Sequence, residues 1–369
     1  MPLSYVNQAI LFPRLICFAS FFLLFNPTAQ ALETVFITGY ITTSGSDTNS
    51  VVLKSIDNGA SWALQGSVLN LRETTSVTAL SSTNYFAVGG SAGVSPAGYT
   101  FSTSGGARTV PSGLLKSVDF ASGTYYTAGA TADDSSGTIL KSTNGTDWTT
   151  QVSSGPKLNG ISALDANVVY AVGASGTVQK TTDGGANWSS QTTDSNYVLY
   201  GVNAVSSTTA YAVGKNGSDG VILKTTDGTN WITTQTVSGT PLNAISVVET
   251  DPSVAFAVGD GPVIMKTTDG ITWTDSGFSA GGALSSIYAV SSTKAYAVGV
   301  IGSVARLNGG SWVDISSTIP AEYQSYNFTG VSVFTAIPIP EPSTIILSVV
   351  AVSVLAIIQR TRRNAPNHA

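Results

Sequence analysis

KTTDGGANW at 180–188, KTTDGTNW at 224–231 and KTTDGITW at 266–273 write nearly the same turn three times. Each runs from a Lys through a Thr pair into Asp-Gly and ends on a Trp. All six Trp of the chain (Trp62, Trp148, Trp188, Trp231, Trp273 and Trp312) mark such turns, with gaps of 86, 40, 43, 42 and 39 residues. The first gap is two periods long. A degenerate copy, STSGGART at 102–109, fills it, with Ser104 at the Asp position and Thr109 at the Trp position. Seven copies spaced by about 42 residues predict the blades of a propeller.

Two further markers keep the same count. YAVG stands at 170–173, 211–214 and 296–299, with looser forms FITG (36–39), FAVG (86–89), YTAG (126–129) and FAVG (256–259). A Leu-x-x-Val/Ile strand recurs as Leu115/Val118, Leu158/Ile161, Leu199/Val202, Leu242/Ile245, Leu284/Ile287 and Phe328/Val331, and is blurred at Thr74/Val77. Within 158–192 the unit reads as four strands: LNGISAL (A), NVVYAVG (B), GTVQKT (C) and WSSQT (D), with TDGGAN as the C–D hairpin. One such unit alone exposes two apolar faces, and stacking units in a ring buries both, which explains strands such as VILK. The expected fold class is all-β: a seven-bladed β-propeller of four-stranded blades over 32–336. The repeat enters on a B strand (FITG) and leaves on an A strand (FTGVSVF, 328–334). The last strand should therefore complete the first blade, leaving no open sheet edge at the seam.

Composition agrees and also excludes. The chain is 42% hydrophobic and 10% charged, and its runs of Val, Ile, Tyr and Thr between turn residues are those of a β protein. Between 32 and 336 stand 12 Lys+Arg and 20 Asp+Glu, a net charge of −8, so no nucleic-acid partner is expected. The single Cys, Cys17, and the single His, His368, both lie outside that span. Disulfides, His-based metal sites and a Ser-His-Asp triad are thereby excluded from it. No metal or cofactor is expected.

In the turn, a short carboxylate such as Asp183 can accept hairpin N–H groups, Gly184 and Gly185 permit unusual φ values, and Trp188 can wedge its ring between neighbouring sheets. SIDNGASW (55–62) and TTDGGANW (181–188) resemble the Asp-box, S/T-x-D-x-G-x-x-W. Copies at 142–148, 225–231 and 267–273 are one residue shorter, and 306–312 is degenerate. Asp-boxes occur in sialidase-like propellers and related repeat proteins. Joined to YAVG-x-x-G-x-x-x-K-S/T-T-D-G, the pattern over about 34–334 resembles the repeat of the photosystem II assembly/stability factor family. The resemblance implies a structural role, away from the ligand face, for Asp57, Trp62, Asn144, Trp148, Asp183, Trp188, Asp227, Trp231, Asp269 and Trp273. Lys54, Lys141, Lys180, Lys224 and Lys266, with Arg306, also recur once per blade. They read as solvated strand ends or as a ring of binding cations.

Both ends carry targeting patterns. Arg14 precedes the apolar run LICFASFFLLF (15–25), then NPTAQA (26–31), where Ala29 and Ala31 form a small-x-small cleavage site. Residues 1–31 read as a signal peptide, with signal peptidase as the implied partner. After the repeats come a Pro-rich link (337–343), an apolar helix expected to span the membrane (344–359) and a basic tail expected in the cytoplasm (360–369). Pro340-Glu341-Pro342-Ser343-Thr344, the helix and the cluster Arg360, Arg362 and Arg363 resemble the PEP-CTERM sorting signal of Gram-negative bacteria. That resemblance implies export, transient anchoring in the inner membrane, cleavage by an exosortase near Pro-Glu-Pro, and release to the cell surface or extracellular matrix.

No catalytic residue is expected. A sialidase needs an arginine cluster, and the span holds only Arg72, Arg108 and Arg306. A glycosidase needs two carboxyls converging in one pocket, and Asp133, Asp134, Asp165, Glu249 and Asp251 show no spacing that pairs them. The expected function is non-catalytic binding of a polysaccharide or surface protein. The alternatives are a photosystem II assembly factor-like protein and a sialidase-like hydrolase. If the C–D turns face one end of the ring, the B–C and D–A loops face the other. On the D–A segments Arg72, Glu73, Tyr197, Tyr200, Tyr323 and Tyr326 are the candidate ligand contacts.

Overall fold

The computed structural model describes residues 33–42, 48–68, 73–90, 98–103, 106–110, 113–261, 263–279 and 281–336. The expected signal segment with Ala29 and Ala31, the whole tail from 337, Ser104 and Arg72 lie outside the described residues. Among the described residues, no helix is long and apolar enough to cross a membrane.

Seven antiparallel sheets, each of four strands, carry the chain. Blade 1 is built from Asn327–Thr335 (A), Glu33–Thr42 (B), Thr48–Ser55 (C) and Ala63–Val68 (D). The A strands of blades 2 to 7 are Thr74–Ala79, Leu114–Ala121, Leu158–Ala163, Tyr197–Ala204, Leu242–Val248 and Leu284–Ser291. Neighbouring A strands face one another round the axis. The expected closure is present: Thr34 pairs with Phe334, Phe36 with Ser332 and Ile37 with Val331 across an antiparallel ladder. Phe328, Val331 and Val333 are buried there among Val35, Ile37 and Tyr296.

The Gly of YAVG answers a close approach. Each A strand bulges within its first few residues, as between Leu158 and Gly160 or Leu199 and Gly201. A Cβ on Gly173 or Gly214 would run into the carbonyl oxygen of Lys157 or Val198 just before that bulge. The blurred copy at Thr74 still forms its strand. In the degenerate second blade no Trp is available, and Tyr85 and Phe101 fill in against Phe36 of blade 1, with ring centroids 5.4 Å (Phe36–Tyr85) and 5.8 Å (Tyr85–Phe101) apart.

The inner edge of each A strand would leave N–H groups bare beside the axis. In five blades one side chain at the same position reaches to the next blade and caps it, whereas in blades 2 and 7 Ser76 accepts from Val118 N and Ser286 from Val331 N instead. Ser332 accepts from Ala79 N at 3.0 Å, Asp119 from Ala163 N at 2.9 Å, Ser162 from Ala204 N at 3.1 Å, Asn203 from Val247 N at 2.6 Å and Ser246 from Ala289 N at 2.9 Å. The equivalent positions in blades 2 and 7 are Thr78 and Tyr288, and neither makes this bond.

Candidate functional site

The repeated turn divides its hydrogen bonds differently from the sequence expectation. The buried acceptor is the hydroxyl before the Asp, not the carboxylate. Thr225 Oγ1 accepts the buried Gly228 N–H at 2.9 Å, and Thr267 Oγ1 that of Gly270 at 2.9 Å. Ser55, Ser142 and Thr181 serve Gly59, Gly145 and Gly185 in the same way. The carboxylates of Asp57, Asp183, Asp227 and Asp269 are exposed and tie the outer loop of the turn. Asp183 Oδ1 accepts Asn187 N at 2.9 Å, Asp227 Oδ1 accepts Asn230 N at 2.7 Å, and Asn144 substitutes its amide oxygen for the same bonds. Thr225→Val should therefore cost about 1–3 kcal/mol by stranding a buried donor, measurable by urea unfolding; a variant as stable as the parent would contradict this division.

The backbone and side-chain amides of Asn187 hold the Asp183 carboxyl down to about 2. The Asn230 amides hold Asp227, and the Ile271 and Thr272 N–H groups hold Asp269, well below the usual carboxylate range. At Asp57, burial pushes upward, and bonds from Ser61 and Ser55 outweigh it. A carboxyl lowered by folding contributes stability above its unfolded value near 4 and loses it as pH falls through the folded value. Thermal melts should thus fall progressively below about pH 4. Melting temperatures that hold steady down to about pH 2 would contradict the role given to these carboxylates.

Three of the six Trp pack edge-on against the B-strand aromatic of the preceding blade, in line with the wedge expectation, and Trp148 lies tilted at 41° to Phe86, 5.9 Å away. Trp231 meets Tyr170 at 6.2 Å and 84°, Trp273 meets Tyr211 at 6.3 Å and 80°, and Trp312 meets Phe256 at 6.1 Å and 84°. The recurring cations are neither solvated strand ends nor a binding ring. Lys141 Nζ donates to Gly184 O at 2.7 Å, Lys180 to Gly228 O at 3.2 Å and Lys224 to Gly270 O at 3.1 Å, always in the turn of the next blade. Lys266 reaches Ser292 O, and Arg306 Nη1 reaches Asn58 O at 2.6 Å across the seam. Lys54, Lys141, Lys180, Lys224 and Lys266 also lie over the B-strand ring of their own blade, at 5.1–5.9 Å. Such a cation–π contact reduces the cost of drawing the stem away from water.

The five ligand candidates among the described residues do not form one surface. Tyr323 and Tyr326 stack on each other at 5.5 Å and belong to the apolar cluster beneath the seam, with Tyr326 only 9% exposed. Glu73 lies near enough to Tyr40 to raise its hydroxyl, after the larger effect of burial. Tyr200 lies under Lys215 at 5.9 Å. Tyr197 bonds Thr233 Oγ1 at 3.2 Å and lines a shallow cleft of about 340 Å³ with Asn230 and Trp231.

The principal cavity, about 760 Å³, lies on the axis and is walled by the C-terminal halves of all seven A strands. These halves lead into the A–B loops, at the same end as the C–D turns in an A-B-C-D meander and opposite the D–A segments. Asp119, Glu249 and Tyr288 line it. Asp119 keeps part of its surface open to the cavity, and its two oxygens accept Phe120 N at 2.8 Å and Ala163 N at 2.9 Å. Burial pushes its carboxyl up to about 6 against those two bonds, and the charge of Glu249 adds to the rise. Burial, then the charges of Glu249 and Asp119, also raises Tyr288. The structure thus places a second carboxyl, Asp119, on the same cavity wall as Glu249. Asp119 was not among the acids weighed, because its only signal is a charge at a position where other blades place Ser or Asn. Among the described residues, no group of three or more His, Cys, Asp or Glu could hold a metal ion.

Residues 202–332 match the DUF6242 beta propeller domain. No curated protein matches the chain. Among solved structures, Ycf48 bound to a D1 peptide is similar at 13% identity and a TM-score of 0.52, covering 75% of this chain and 92% of that one. A candidate 6-phosphogluconolactonase from Bacteroides fragilis is similar at 12% identity and a TM-score of 0.59, covering 84% and 99%. Virginiamycin B lyase from Staphylococcus aureus follows at 10% identity and 0.52, covering 76% and 88%. These likenesses establish the propeller fold, which carries unrelated activities in the three.

Proposed function

We propose that this chain is an exported, surface-displayed propeller that binds a protein or carbohydrate without turning it over. Signal peptidase would remove 1–31, and an exosortase would process the tail at Pro340-Glu341-Pro342. The observation that carries the binding role is the division within the repeat. The conspicuous recurring side chains are engaged in turns and blade contacts, whereas the axial cavity adds three residues that depart from the pattern, Asp119, Glu249 and Tyr288, to a lining of repeated A-strand residues. A peptide-bound neighbour with the same fold favours a second reading, a photosystem II assembly factor-like role. The sorting tail argues instead for display at the surface.

Intact-mass measurement of the protein from its native host tests the export route. The mature form should begin at Leu32 and end near Pro342, and Glu341→Ala should trap a precursor in the inner membrane. A main extracytoplasmic form retaining His368 and Ala369 would contradict processing. Hydrolysis of a glycan, lost in Asp119→Asn, would contradict the non-catalytic role.

A further inference from the structure

The cavity wall shows where the repeat has been altered. At the capping position on the A strand the architecture asks only for a short acceptor, and Ser meets that need in Ser162, Ser246 and Ser332. Blade 3 places a carboxylate there, Asp119. Blade 7 places Tyr288, whose hydroxyl has no hydrogen-bond partner among the described residues and whose ring lines the cavity. Glu249 stands exposed just after the A strand of blade 6, on the same wall. All three line the one cavity, and the charge of Glu249 acts on Asp119 while both charges act on Tyr288, so residues from three blades share one neighbourhood.

No Lys, Arg or His is present among the lining residues. Asp119 on the wall and Glu249 at its exposed end give the cavity a negative potential that nothing in the lining offsets. Tyr288 and Phe334 also line the same wall, while the Phe120 ring packs against Tyr125 at 4.5 Å. The volume, about 760 Å³, falls within the roughly 300–1,000 Å³ typical of small-molecule sites and greatly exceeds what a bare ion fills. A neutral polyol would make no use of the paired charge, an anion would be repelled, and a bare metal ion would leave the rings without a role. A cation carried on an alkyl stem uses all of them, since an aromatic face attracts an ammonium group and covers its stem.

We propose that the axial cavity binds an organic ammonium group, either a free alkylamine or a lysine side chain of a protein ligand, neutralised by Asp119 and Glu249 and packed against Tyr288. This rests on the reading of the domain as a binding module and names its ligand class.

Isothermal titration of the full chain in detergent, at neutral pH, tests it with three probes: n-butylammonium, N-acetyl-lysine methylamide, and the uncharged N-acetyl-norleucine methylamide. The ammonium probes should bind at least tenfold more tightly than the uncharged one. Asp119→Asn and Glu249→Gln should each remove at least tenfold of that affinity. Comparable binding of both ammonium probes indicates a free amine as the source, and binding of the lysine amide alone indicates a side chain. Equal binding of the uncharged probe, or binding of calcium while both amines fail, overturns the proposal. If both amines fail but a glycan or protein still binds, the ligand class is overturned and the binding role survives. Turnover of any ligand at the cavity overturns both.

Discussion

Deleting residues 328–334 should abolish the cooperative fold of the ring. The deletion removes the A strand of blade 1 and its ladder to Glu33–Thr42. It also takes Phe328, Val331 and Val333, at 0%, 6% and 5% exposure, out of the seam cluster. Truncating one buried Phe to Ala costs about 3–5 kcal/mol by itself, and whole domains are stable by only about 5–15 kcal/mol. Loss of three core side chains, a strand and the interfaces on both sides of blade 1 should therefore exceed the available stability. Phe328→Ala gives the milder test, with an expected loss of about 3–5 kcal/mol in denaturant unfolding. A deletion variant that melts like the parent would contradict the closure.

The second large effect is expected at a blade interface. Trp273 is 6% exposed and lies edge-on to Tyr211, whose hydroxyl and the Lys224 ammonium converge on Gly270 O of the same turn. Trp273→Ala should cost about 3–5 kcal/mol, because the rigid strands on either side cannot collapse into the space. The Trp273 indole N–H has no hydrogen-bond partner among the described residues, so Trp273→Phe should restore most of the loss. Equal damage from Phe and Ala would mean that the indole nitrogen, rather than ring packing, makes the contact.

The blade count, the strand order and the closure were all legible in the sequence, because each repeats with a chemical marker: Trp for the wedge, Gly for the bulge, an A strand left over for the seam. The division of labour inside the turn was not. Thr181 and Asp183 both stand beside the hairpin in sequence, and only the coordinates tell which oxygen faces the buried N–H. The recurring Lys could not be placed either, since its partner, a backbone carbonyl on the next blade, leaves no mark in sequence. Asp119 and Glu249 lie 130 positions apart, and only closure of the ring brings them to one wall. The six loop candidates were chosen for residue type on exposed segments, yet Tyr323 and Tyr326 turn inward to fill the seam.

The repeated residues hold the blades together, and the proposed binding resides where the repeat is broken. A paired comparison of Lys180→Ala and Glu249→Gln, each followed by thermal melting and by titration with N-acetyl-lysine methylamide, tests this most directly. Lys180→Ala should lower the melting temperature and leave binding intact, because its ammonium donates to Gly228 O of the next blade. Glu249→Gln, at an exposed position on the cavity wall, should leave the melting temperature unchanged and weaken binding at least tenfold. The reverse pattern, with normal melting but lost binding in Lys180→Ala and full binding in Glu249→Gln, would contradict the account.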